Sequence, residues 1–110
     1  MPVSLRAAFA LLFLAAPAAA QRVPPLTPAF LVGRWTDNGD CARYVVFRSD
    51  GTFRSHAGGE GIWRLVRDRL TLTPRGGRPS TLGATVLAQS RIAIVNPDGS
   101  RGVSERCPAG

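Results

Sequence analysis

Turn-forming dipeptides cut this chain into runs too short for stable helices. Asn38-Gly39, Asp50-Gly51, Gly58-Gly59, Gly76-Gly77 and Asp98-Gly99 recur through it. Asn-Gly and Asp-Gly supply the positive φ that right-twisted hairpins need. Between these turns lie short runs in which apolar residues alternate with period two, the spacing that puts one face of a strand inward. The alternation predicts strands at 30–35, 42–48, 52–56, 61–66, 70–73, 81–88 and 91–95, and a weaker one at 101–107. Residues 84–93 are the best stretch for a helix. Thr85, Val86 and Ile92 within it, with Ile94 and Val95 just beyond, are β-branched and favour a strand. The connections are tight, so the fold class expected is all-β: an antiparallel up-and-down meander of about seven to eight short strands forming a small, partly open barrel.

The first 20 residues stand apart from this pattern. Arg6 precedes an apolar run, and Ala18-Ala19-Ala20 is a small-residue cleavage site. Residues 1–20 are therefore read as a secretory signal, their apolar run being too short to span a bilayer. No cysteine sits at the junction, and no later run is long enough to be transmembrane. Residues 21–29, with Pro24, Pro25 and Pro28, read as an extended arm. Residues 30–107 form the β domain and 108–110 a tail. The expected location is periplasmic or secreted, in a bacterium, as a monomer.

About 90 residues make one domain whose core alone is marginally stable. Cys41 and Cys107 are the only cysteines, and an exported chain meets an oxidising compartment. They are read as one disulfide, worth about 4 kcal/mol by the chain-entropy argument. Two free thiols or an intermolecular bridge are the competing readings. Two cysteines and one histidine do not fill a tetrahedral metal shell, and no cofactor is expected.

The formal charge is +7, and every basic residue is an arginine. A positive surface favours anionic partners such as envelope lipids or glycans. The arginines are scattered and alternate with apolar residues, as a solvated strand face does. No specific nucleic-acid binding is expected.

Gly33-Arg34-Trp35, then Phe47 to Phe53, then Gly61-Ile62-Trp63-Arg64-Leu65 and Asp68 to Leu72 form an ordered series. It resembles the small exported lipocalin-like (calycin-type) β-barrel proteins of bacteria. The resemblance covers about half of the mature chain. It implies that the first tryptophan closes the base of a barrel, and that a basic residue of the last strand, Arg101 or Arg106, packs over Trp35. It implies no ligand. Ninety residues leave little room for a cup, so a filled interior is expected.

Catalytic chemistry is poorly provided for. A hydrolase needs a nucleophile, a base and an orienting group. His56 is the only histidine, and His56 with Glu60 across the Gly58-Gly59 loop is the only acid–base pair to be named. Asp37-Asn38-Gly39-Asp40 has the look of a loose calcium loop but lacks the remaining ligands. Trp35, Trp63, Phe47, Leu70 and Leu72 read as core. The expected function is non-catalytic. One class is a binding module for an apolar, amphiphilic or anionic envelope molecule. The other is a protein-interaction module, such as an inhibitor of a periplasmic or secreted hydrolase. A cavity lined by Trp63, Leu65, Leu70 and Leu72 favours the first. A packed interior with a projecting arm at 21–29, or a contact loop at His56, Gly58, Gly59 and Glu60, favours the second.

Overall fold

The computed structural model describes residues 22–109; the expected signal at 1–20, Gln21 and Gly110 lie outside the described residues. A single helical turn, α1 (Pro28–Leu31), leads into eight strands: β1 (Gly33–Thr36), β2 (Val45–Phe47), β3 (Thr52–Ser55), β4 (Glu60–Val66), β5 (Arg69–Pro74), β6 (Ser80–Ala88), β7 (Arg91–Val95) and β8 (Arg101–Arg106). Each strand pairs antiparallel with the next, and β8 returns to β1, so the meander closes into a barrel. The closure was expected to be partial. It is complete but short, with Trp35 opposite Arg106 and Thr36 opposite Glu105.

The first strand starts later than the alternation suggests. Thr27 caps α1, its hydroxyl accepting the Phe30 N–H at 3.1 Å, and Pro28 occupies the first helical position. Thr-Pro is a helix-start signal, because the hydroxyl satisfies a free N–H and proline has none to lose. The second strand is also shorter than expected, since the connection from Asp37 to Tyr44 detours to reach the disulfide. Cys41 and Cys107 are bonded across 66 positions of sequence, with Cα atoms 5.7 Å apart.

Two hairpins use one turn chemistry. Asp50 Oδ1 accepts the Thr52 N–H at 2.9 Å and its hydroxyl at 2.6 Å. Asp98 Oδ1 does the same with Ser100, at 2.9 and 2.7 Å. Gly51 and Gly99 both sit at φ 87°. These hydrogen bonds stabilise the charged form and hold both carboxyls below the ordinary carboxylate range, the hydroxyl contributing most and the backbone N–H next.

The inward faces build one core. Leu31, Trp35, Phe47, Phe53, Trp63, Leu70 and Ile92 are buried together, with Leu72 packed against them. Phe47 meets Trp63 edge-on, with ring centroids 5.5 Å apart. The arm at 21–29 does not simply project: its Leu26 packs on this cluster, as does Phe30 just after it.

Candidate functional site

The two ends of the barrel differ. At one end lie α1, the β2–β3, β4–β5 and β6–β7 turns, and the C-terminus of β8. This end is plugged. Trp35 Nε1 donates to Leu31 O at 2.9 Å, and Leu31 is fully buried. Arg106 spreads over the plug. Its guanidinium lies 4.4 Å from the Trp35 ring centroid and 4.9 Å from that of Phe30. Nη2 donates to Phe30 O at 2.7 Å and Nη1 to Val32 O at 3.1 Å. Gly33 makes room for this. Its φ is 133°, and a Cβ there would stand 3.1 Å from Arg106 Nη1. The glycine and tryptophan of Gly33-Arg34-Trp35 thus serve one arrangement: close approach of the guanidinium, and a ring beneath it. Arg101 is elsewhere, exposed at the far end of β8 opposite Val95.

The other end is open. Between the plug and this mouth lies a cavity of about 340 Å³. Its wall is apolar, formed by Trp35, Phe47, Leu70, Leu72, Ile92 and Ile94. Its rim is polar and comes from three strand ends. Asp37, Asn38 and Arg43 come from the β1–β2 connection, His56 from the end of β3 and Asn96 from the end of β7. The interior is not filled as expected, because Ser55 and Ser104 occupy inward positions where large side chains would close it. Trp63 is buried beside Phe47, with Nε1 donating to Arg48 O at 3.0 Å, and is not part of the cavity wall.

The polar rim is partly committed to itself. The buried Ser104 hydroxyl donates to Asp37 Oδ1. Asn38 Oδ1 accepts the Asp40 N–H at 3.0 Å and lies 2.9 Å from Thr36 Oγ1. Asp40 Oδ1 takes the Ala42 N–H at 3.0 Å. In the loop that resembles a calcium site, the side-chain oxygens of Asn38 and Asp40 therefore organise its own backbone, and that of Asp37 holds Ser104 on β8.

The acid–base pair of the sequence reading is not assembled. Glu60 belongs to β4, not to the Gly58-Gly59 loop, and its carboxylate is 2.9 Å from Arg75 Nη1. His56 instead faces Tyr44, with ring centroids 6.4 Å apart. Ser55 Oγ accepts the Gly59 N–H at 3.1 Å, and Gly58 adopts φ 95°, which folds the loop back on β3.

Sequence reasoning missed Arg43, Asn96 and Ser104, and met Asn38 only as part of the calcium-like loop. The signal that finds them is topological. In a meander, alternate connections share one end, so strand-end polar residues at every second connection form one rim. Among the described residues, no helix is long and apolar enough to cross a membrane and no metal-ligating cluster is present. Comparison with protein-family models, with curated proteins and with solved structures finds no match.

Proposed function

We propose that the protein is a small exported, non-catalytic lipocalin-like module that holds an apolar or amphiphilic envelope molecule inside its barrel. One observation carries the reading: an apolar cavity of about 340 Å³ with a plugged base and a polar mouth. Ligand sites are concave, mostly apolar and edged by a few placed polar groups, from roughly 300 Å³ upward. At a water's liquid share of roughly 30 Å³, the space suits a ligand of about eleven heavy atoms. The non-catalytic role is favoured because Ser104 and Asp37 bond each other directly, with no histidine set between hydroxyl and carboxylate as a triad requires. The disulfide fits an oxidising compartment.

Titration with straight-chain alcohols of six to fourteen carbons, followed by tryptophan emission and calorimetry, tests this. At roughly 0.5 kcal/mol per heavy atom, an eleven-atom ligand binds with a Kd near 0.1 mM. Saturable one-to-one binding with an optimum near ten carbons is expected. Ile94→Trp adds about six heavy atoms to a space for about eleven and should abolish saturable binding of alcohols of ten carbons and longer without loss of the fold. Absence of saturable binding along the whole series, or wild-type affinity in Ile94→Trp, would refute the reading.

A further inference from the structure

The rim of the cavity has one fully charged group without a partner. The Arg43 guanidinium makes no side-chain hydrogen bond and no ion pair among the described residues; only its backbone N–H is used, donating to Asp40 O at 2.9 Å. Asn38 lies on the same connection. Its carbonyl oxygen is occupied by the Asp40 N–H and the Thr36 hydroxyl, which leaves its amide N–H groups as donors. The one rim carboxylate, Asp37, accepts the buried Ser104 hydroxyl. Asn96 Nδ2 donates one N–H to Ser100 Oγ at 3.0 Å, leaving its second N–H and an uncharged acceptor. Set against the second oxygen of Asp37, the unspent donors are the Arg43 guanidinium, the Asn38 amide and one Asn96 N–H. Guanidinium donors match the two oxygens of a carboxylate in a planar fork.

We infer that the rim selects amphiphiles with an anionic, acceptor-rich head, typified by a carboxylate, and that Arg43 is the residue that sets this preference. The inference rests on the cavity reading above and narrows its ligand class. The apolar tail lies along Leu70, Leu72, Ile92 and Ile94, and the head stops at the mouth beside Arg43 and Asn38. A cationic head is disfavoured. Arg43 would face it, and only the second oxygen of Asp37, whose Oδ1 holds Ser104, would be there to meet it.

Three probes with one ten-carbon tail separate the possibilities: decanoate, decanol and decylammonium. By calorimetry, decanoate is expected to bind at least tenfold more tightly than decanol, and decylammonium more weakly than decanol. Raising salt from 50 to 500 mM should weaken decanoate binding several-fold and leave decanol unchanged. Arg43→Gln, a substitution on an exposed loop, should bring decanoate to within threefold of decanol measured in the same variant. Equal affinities for decanoate and decanol overturn the inference while the cavity reading stands. Persistence of the preference in Arg43→Gln removes Arg43 from its role, and tightest binding of decylammonium transfers the head site to Asp37. Failure of all three probes overturns the cavity reading and this inference together.

Discussion

Replacing Arg106 with methionine isolates what the plugged end contributes. Methionine keeps the length and packing of the stem and removes the donors. Two charge-assisted hydrogen bonds are lost, to Phe30 O at 2.7 Å and Val32 O at 3.1 Å. At the lower end of the range for charged groups each is worth about 1.5 kcal/mol. The contact to Gln89 O at 3.4 Å is long and adds little. Stacking on Trp35 and Phe30 adds about 0.5–1 kcal/mol per ring in a half-exposed setting. These terms share one side chain, and water can reach one of the freed carbonyls, so the sum is discounted to about 3 kcal/mol. For a domain of this size that is a fall in Tm of roughly 12–24 °C. Arg106→Lys keeps the charge but not the fork, and about half of the loss is expected. Arg101→Met is the control. It lies on the same strand, exposed, and should change stability by less than about 0.5 kcal/mol. Urea unfolding followed by tryptophan emission measures all three. A loss below about 1 kcal/mol in Arg106→Met, or an equal loss in Arg101→Met, would show that the plug does not depend on this guanidinium.

Trp35→Ala removes a buried ring whose N–H is also bonded, and should cost roughly 3–5 kcal/mol; under about 1 kcal/mol would make it a surface residue. Non-reducing mass mapping should return a Cys41–Cys107 peptide pair, and Cys41→Ser with Cys107→Ser should lower stability by up to about 4 kcal/mol. The carboxyls of Asp50 and Asp98 should titrate by NMR below the ordinary value of 3.8. Because their folded pKa is depressed, the stability they contribute is present above 3.8 and is lost as pH falls through the folded value. Thr52→Val should return Asp50 towards 3.8 and leave Asp98 where it was, and a shift of both would sink the local explanation.

Strand positions were legible where alternation met a turn dipeptide. The seventh strand, Arg91–Val95, matches residue for residue, because Gln89-Ser90 and Asn96-Pro97 bound it on both sides. The start of β1 was not legible from alternation, since a four-residue helix leaves no period to detect; Thr27-Pro28 was the available sign. The β1–β2 connection was misjudged because its path follows a covalent bond between residues far apart in sequence. The core of the candidate site was half visible. Phe47, Leu70 and Leu72 stand out as inward residues, while Ser55 and Ser104 look like ordinary polar positions. Their effect appears only when eight strands close around them, since a small side chain leaves space only if nothing else reaches across. The His56–Glu60 pair failed for a related reason. Nearness in sequence is weaker than strand pairing, which sets Glu60 at one end of β4 and leaves its carboxylate to Arg75, just beyond the paired end of β5.

An unfilled interior is costly for so small a domain, and this makes occupancy measurable. At about 24 cal/mol per Å³, a dry void of about 340 Å³ would cost on the order of 8 kcal/mol. Water entering through the open mouth reduces that, but the figure is comparable to the whole stability of a typical domain. The disulfide and the arginine-covered tryptophan lie where they hold the barrel shut without occupying the cavity. Anything that fills the space and binds only the folded chain must therefore raise Tm. At one hundred times its Kd a ligand adds about 2.7 kcal/mol, or roughly 11–22 °C for this size of domain. Decanoate should produce that rise in the wild type and little in Ile94→Trp, whose own side chain takes about half of the space that a ten-carbon tail needs. An equal rise in both would place the bound molecules on the outer surface, where the exposed aliphatics Ile62 and Val66 lie, and not within the barrel.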